Sequence, residues 1–353
     1  MDGYVLLRFV VGLVLLVAGA EALVRGASRL AALFGISRLV IGLTIVAAGT
    51  SSPELAVSVG AALTGQSDIA VGNVVGSNIF NVLFILGLCA LVAPLRVSSQ
   101  LVRTDVPVMI GTSLLLLALG ADGRLSPIDG LFLLAGMVAY FWYSVAEGRR
   151  EQAAAGDGGE PTGGLVPQLL WVAAGLALLV LGARWLVEGA VAMARLMGVS
   201  ELVVGLTIVA AGTSLPEVAT SVVASVRGQR DIAVGNVVGS NIFNILGILG
   251  ASALVAGGLP VAPSLQGFDI PVMVAVALAC LPIFFTGHVI NRSEGALFLG
   301  YYVGYTLYVI LAAARHDALA PFSGAMMTFV VPLTIVTLVI VAVRAARSPT
   351  AAG

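Results

Sequence analysis

Long apolar runs separated by short polar turns dominate the chain. A helix that crosses the hydrocarbon core of a bilayer needs about 20 mostly apolar residues. On that ruler, spans are predicted near Tyr4–Ala22, Leu39–Leu63, Ile69–Val92, Val106–Leu119 and Ile128–Val145. The stretch "EGRREQAAAGDGGEPTGG", Glu147 to Gly164, then breaks the pattern; its Gly, Ala and charge read as a flexible linker. Five more spans follow, near Val166–Leu186, Leu202–Val226, Ile232–Ala256, Ile270–Phe285 and Gly295–Ala313, and a last apolar run, Phe322–Val343, predicts an eleventh. The N-terminal "MDGYVLLRFV" has neither a basic n-region nor a small-residue cleavage site, so it reads as a retained span.

The two halves repeat each other. Glu217 lies 163 positions after Glu54, Ser240 the same distance after Ser77, and Gly12/Gly175, Gly26/Gly189 and Gly35/Gly198 keep the offset. The words "DIAVGNVVGSNIFN" occur at Asp68–Asn81 and again, intact, at Asp231–Asn244. An odd number of spans per half sends the second copy into the membrane from the opposite side. Arginine placement agrees, since cytoplasmic loops collect basic residues. Between the second and third spans, "TGQSD" carries no arginine while its counterpart holds Arg227 and Arg230; between the third and fourth, Arg96 and Arg103 answer a bare stretch from Gly257 to Gln266. Arg124 alone dissents mildly. The expected fold is all-α and polytopic: two inverted five-helix repeats, residues 1–146 and 166–314, joined by a cytoplasmic linker at 147–165, with an extra helix and tail over 315–353. The N-terminus is expected outside a cell inner membrane. Inverted repeats are typical of secondary transporters, whose site lies at mid-membrane where the repeats meet.

Composition narrows the class. Hydrophobic residues make up 59% of the chain and charged ones 10%, against roughly a quarter charged in soluble domains, so the lipid bilayer is the partner. A net charge of −1 suggests no nucleic-acid partner. Cys89 and Cys280 sit in apolar runs and read as inert buried thiols, His288 and His316 as exposed loop residues.

Against that background the stretch "GLTIVAAGTSSPELAVS", Gly42 to Ser58, and its echo "GLTIVAAGTSLPEVATS", Gly205 to Ser221, are costly. A charge at mid-bilayer costs several kcal/mol, and no basic side chain matches the depth of Glu54 or Glu217, so a bound cation or a proton must neutralise them. Pro53 and Pro216 lack an N–H for the carbonyl four residues back. The oxygens of Gly49 and Gly212 should therefore be released and, beside the hydroxyls of Thr50, Ser51 and Ser52, turned inward. Ser77 and Asn81, like Ser240 and Asn244, stand four apart and share a helix face. Gly72/Gly76 and Gly235/Gly239 should allow close helix approach. Asn73 and Asn236 read as interhelical hydrogen-bonders ahead of ligands. The set is all oxygen, without thiolate or imidazole, which suits Ca2+, Na+ or Mg2+; a flexible mixed cage favours Ca2+ over Mg2+, which demands a tight octahedron. Glu21/Arg25 and Arg184/Glu188 read as i,i+4 ion pairs near the ends of the first and sixth spans. Asp105 and Asp269, each two residues before a proline, read as helix N-caps.

"GTSSPE" with "GNVVGSNIFN", and "GTSLPE" with "GNVVGSNIFN", resemble the paired alpha-repeats of the cation/calcium exchanger superfamily, in particular the prokaryotic sodium/calcium exchanger type, over both halves. The resemblance implies an antiporter, not an enzyme, with Ca2+ and Na+ as transported ions and no prosthetic group. It implies that Glu54 and Glu217 bind Ca2+ with the backbone oxygens of Thr50 and Thr213. Na+ would share these and use Ser51, Ser77, Ser214, Ser240 and the carbonyls of Ala47 and Ala210, with Asn81 and Asn244 completing the centre. Some relatives carry aspartate where this chain has Asn244, which argues against potassium dependence. A proton remains the alternative coupling ion. A cation channel is disfavoured, because "ILGLCALVA" and "ILGILGASALVA" seal the polar cluster on its far side.

Overall fold

The computed structural model describes residues 3–155, 164–285, 287–332 and 335. Helix α1 (Gly3–Phe34) leads to α2 (Arg38–Thr50) and α3 (Ser52–Leu63), which meet at a 47° bend. Then come α4 (Ser67–Val92), α5 (Leu101–Asp122) and α6 (Pro127–Ala155). The second half follows the same order: α7 (Leu165–Leu196), α8 (residues 201–212), α9 (Leu215–Val226), α10 (Arg230–Val255), α11 (Leu265–Phe285) and α12 (Arg292–Ala313). A further helical stretch, α13 (Leu319–Ala325), continues through Met326–Val330; the rest of the run to Val343 expected as an eleventh span lies almost wholly outside the described residues. Among the described residues eight helices are long and apolar enough to cross a membrane, and α2 with α3 forms a ninth, broken one.

Three differences from expectation concern element ends. The first and sixth spans run far past Ala22 and Leu186, to Phe34 and Leu196. Glu21/Arg25 and Arg184/Glu188 therefore sit well inside these helices. Both pairs form, at 2.6 and 3.0 Å, and each glutamate takes a second arginine, Arg227 on Glu21 and Arg8 on Glu188, which is how charge is carried inside long apolar helices. The linker is helical as far as Ala155, because Glu, Gln, Arg and Ala are strong helix formers. Asp105 and Asp269 are not N-caps. The backbone at Asp105 is already helical (φ −75°, ψ −39°) and its side chain makes no capping bond, since a wide turn over Leu101–Asp105 begins the helix earlier; Leu265–Asp269 does the same in α11. Instead Asp105 accepts from the hydroxyl of Tyr140 at 3.1 Å and Asp269 from Tyr305 at 2.8 Å, tying α5 to α6 and α11 to α12.

Helices α1 and α7 lie antiparallel with their backbones in contact. A Cβ at Gly12 would stand 2.5 Å from the amide of Leu186, one at Gly19 2.7 Å from that of Leu179, and one at Gly26 3.0 Å from that of Val172. Gly175 and Gly182 return the contact onto Leu23 and Leu16. Such small-residue seams let helices associate in lipid by van der Waals contact alone. The other helices pack around α4 and α10, the latter buried almost throughout. Two short antiparallel strand pairs tie loops of the two halves: β1 (Leu95–Arg96) with β4 (Val289–Ile290), and β2 (Arg124–Leu125) with β3 (Leu259–Pro260).

Candidate cation site

The sequence Ser51-Ser52-Pro53-Glu54 stops one helix and starts another. Ser51 leaves helical geometry (φ −79°, ψ 9°), and Pro53 falls in the first turn of α3, where its missing N–H costs nothing. Ser214 (φ −86°, ψ 6°) and Pro216 repeat this before α9. Glu54 and Glu217 thus lie in the first turns of half-helices, whose positive dipole ends favour a carboxylate. Each is 1% exposed. The freed carbonyl of Gly49 does not turn inward as expected: the hydroxyl of Ser52, on the exposed side, donates to it at 2.7 Å.

The halves interlock at the carboxylates. Ser214 Oγ donates to Glu54 Oε1 and Ser51 Oγ to Glu217 Oε1, both at 2.8 Å, and Ser77 and Ser214 hydroxyls lie 3.2 Å apart. Thr50 donates to Asn236 Oδ1 at 3.1 Å and to the carbonyl of Ala47 at 3.3 Å; that carbonyl also takes the amide of Ser51. Thr213 reaches Asn73 at 3.5 Å. Asn73 and Asn236 donate to Ser58 and Ser221, so they bridge helices as expected. Wide helical turns begin at Asn81 and Asn244; such turns interrupt regular helices most often at functional sites.

What remains unsatisfied is informative. Glu54 Oε2, Glu217 Oε2, Asn81 Oδ1 and Asn244 Oδ1 are buried without a hydrogen-bond partner, as is the hydroxyl of Ser240. Buried polar atoms almost always have partners, so each exception needs an explanation. Four of these orphans are acceptor oxygens, the donor type that hard cations take.

The site is not equally enclosed on its two sides. A Cβ at Gly235 or Gly239 would stand 2.8 or 2.5 Å from the carbonyls of Leu39 and Leu43, so α2 lies tight on α10. Among the described residues a Cβ at the equivalent Gly72 and Gly76 on α4 would meet nothing within 4 Å, so the close approach expected there is not seen. Accordingly Val46 and Ala47 are fully buried, whereas Val209 is 49% exposed and Ala210 is exposed beside the half-buried Thr213.

Asn78 and Asn241 were not singled out by sequence. They are buried and bonded both to each other's main chain and to the side chains of Asn244 and Asn81. The signal was present, since both lie inside the verbatim repeat three residues before the site asparagines.

The family model for sodium/calcium exchanger proteins matches residues 4–146 and 167–311. This chain belongs to the sodium/calcium exchanger family. The chain is 41% identical to the putative antiporter CaxA of Alkalimonas amylolytica over 304 residues, 84% of this chain and 95% of the relative. It is 35% identical to the sodium/calcium exchanger MaX1 of Methanosarcina acetivorans over 338 residues, covering 85% and 96% of the two chains. Among solved structures it superimposes on the sodium-calcium exchanger NCX_Mj, soaked without Na+ and Ca2+, with a TM-score of 0.75 and 34% identity, covering 86% of this chain and 98% of that one. The chain is a multi-pass membrane protein, and the relatives it matches are named as antiporters and exchangers.

Proposed function

We propose that the chain moves Ca2+ against Na+ by alternating access, with one set of oxygens serving both ions. The observation that carries this reading is the cross-bonded carboxylate pair with one partnerless buried oxygen on each carboxylate and on each of Asn81 and Asn244. Two carboxylates match the charge of one Ca2+. Because Na+ competes for the same oxygens, a site filled by one ion cannot hold the other, and this exclusion couples the fluxes. Glu54, Glu217, Thr50 and Thr213 are the Ca2+ ligands in this reading, and Ser51, Ser77, Ser214, Ser240, Ala47, Ala210, Asn81 and Asn244 the further Na+ ligands.

The proposed architecture is two inverted five-helix repeats with an eleventh helix, N-terminus outside and linker inside. The antiparallel contact of the repeat-equivalent α1 and α7 supports it. So does the one-sided packing of α2 on α10 against the open α8 and α4, which is what an alternating-access protein caught in one of its two states would present. On this topology the open side is the outside.

The test is radioactive calcium uptake into proteoliposomes under an imposed sodium gradient, compared with an imposed pH gradient. Uptake driven by sodium supports the assignment. Uptake driven only by pH would replace it with Ca2+/H+ antiport on the same scaffold.

A further inference from the structure

We infer that Asn78 and Asn241 are positioning residues that hold the amides of Asn244 and Asn81 with their oxygens toward the cation. This rests on the proposed cation site and adds the device that orients two of its ligands.

A carboxylate presents oxygen whichever way it rotates, whereas an amide presents either an oxygen or an NH2 group, and the latter repels a cation. A site built with asparagine must therefore fix the flip. Asn244 Nδ2 donates to Asn78 Oδ1 at 3.0 Å, and Asn81 Nδ2 donates to Asn241 Oδ1 at 2.9 Å. Both NH2 groups are thereby turned away, leaving Oδ1 of Asn81 and of Asn244 without a partner.

The holding residues could not do this if they were free to flip. Asn78 Nδ2 donates to the main-chain oxygen of Asn241 at 3.2 Å, and Asn241 Nδ2 to that of Asn78 at the same distance. A main-chain carbonyl inside a helix has no alternative orientation. Flipping Asn78 would set its Oδ1 against that carbonyl, acceptor to acceptor, in a setting where neither can find water. The remaining N–H bonds go to the sulfurs of Met273 and Met109, 3.6 Å away. Orientation thus passes from a fixed carbonyl on α10, through Asn78 on α4, back to Asn244 on α10, and symmetrically the other way. All four asparagines are 1–3% exposed.

The test is a double-mutant cycle on Asn78→Leu and Asn244→Asp, reading the KM and maximal rate of radioactive calcium uptake in proteoliposomes under the gradient that drives the wild type. Asn78→Leu keeps the number and branching of the side-chain heavy atoms but frees the Asn244 amide. Calcium KM is expected to rise roughly 5- to 10-fold, the worth of a buried hydrogen bond, with the saturated rate within about twofold. In the Asn244→Asp background every orientation of the side chain presents oxygen, and Asn78 Oδ1 would face an acceptor. There Asn78→Leu should leave KM unchanged or lower it. The same loss in both backgrounds would overturn the inference, because a purely structural role is indifferent to the side chain at position 244. An unchanged KM for Asn78→Leu alone would overturn it too. Asn241→Leu with Asn81→Asp is the mirror cycle and gives the same reading if either Asn78 variant fails to fold. A wild type that takes up no calcium would refute the cation site itself, a separate result.

Discussion

Ser214 Oγ donates to Glu54 Oε1 across 160 residues of chain, and Ser51 makes the mirror bond to Glu217. Each hydroxyl fixes the rotation of a carboxylate belonging to the other half. Ser51→Ala or Ser214→Ala should raise calcium KM roughly 10- to 150-fold, the range for a hydrogen bond to a charged group. Glu54→Gln or Glu217→Gln should abolish exchange. Uptake kinetics in proteoliposomes check both, and a glutamine variant that still exchanges would remove that residue from the centre.

The hydroxyl of Tyr140 on Asp105 acts on stability. Asp105 is fully buried, so Tyr140→Phe removes one donor from a carboxyl that water cannot reach. The expected loss is about 1–3 kcal/mol, seen as a lower midpoint of thermal unfolding in detergent, while calcium KM stays at the wild-type value. A large KM change would place this pair in the transport path instead.

Glycine contacts predict opposite traps. Alanine at Gly239 collides with Leu43, whereas alanine at Gly76 meets nothing among the described residues. If α8 closes on α4 as α2 now lies on α10, Gly76→Ala obstructs that closure and holds the present state. Gly239→Ala disfavours the present state. Both variants should slow exchange, but a cysteine placed at the exposed Ala210 should react with a membrane-impermeant thiol reagent faster in Gly76→Ala and slower in Gly239→Ala. Equal reactivity would show that the two faces do not exchange roles. The native Cys89 and Cys280 are buried and free.

The ion pair between Glu21 and Arg227 should matter little to stability. Both side chains are partly exposed, at 23% and 56%, and such pairs contribute about 0–1 kcal/mol. Arg227→Gln should shift the unfolding midpoint slightly and alter the exchange rate less than about fivefold, with the difference shrinking as salt is raised. A salt-independent loss of rate would indicate a direct role in conduction.

Much of the site was legible because duplication marks it. The same words in two places singled out Glu54, Glu217 and the Ser/Asn positions as candidates without any geometry, hydrogen bonds between the halves bring them together, and the proline before each glutamate announced the broken helix. Local signals failed where longer-range contacts outweighed them. Asp-x-Pro reads as a cap until the helix is seen to start earlier and Tyr140 is seen to lie opposite. The charged pairs that read as ending the first and sixth spans sit inside longer helices, where each glutamate is shared with a second arginine, Arg227 or Arg8, from elsewhere in the chain. Ser52 intercepts a carbonyl that the proline rule alone would free. The difference between a packed α2 and a detached α8 could not be read at all, since their central "GLTIVAAGTS" is identical in both copies. A symmetric sequence cannot say which half is open.

The paired strands at the loops constrain how that asymmetry can reverse. Leu95 with Ile290 and Leu125 with Leu259 staple α4, α5 and α6 to α10, α11 and α12 across the repeat boundary. A clamshell parting of the two halves would tear these staples and leave their amides bare. Among the described residues α1 and α7 carry no such staple and share a backbone-to-backbone seam, so on the proposed alternating-access reading a joint movement of the two leaves the strand pairs whole and breaks the Glu21–Arg227 pair between α1 and the end of α9 instead.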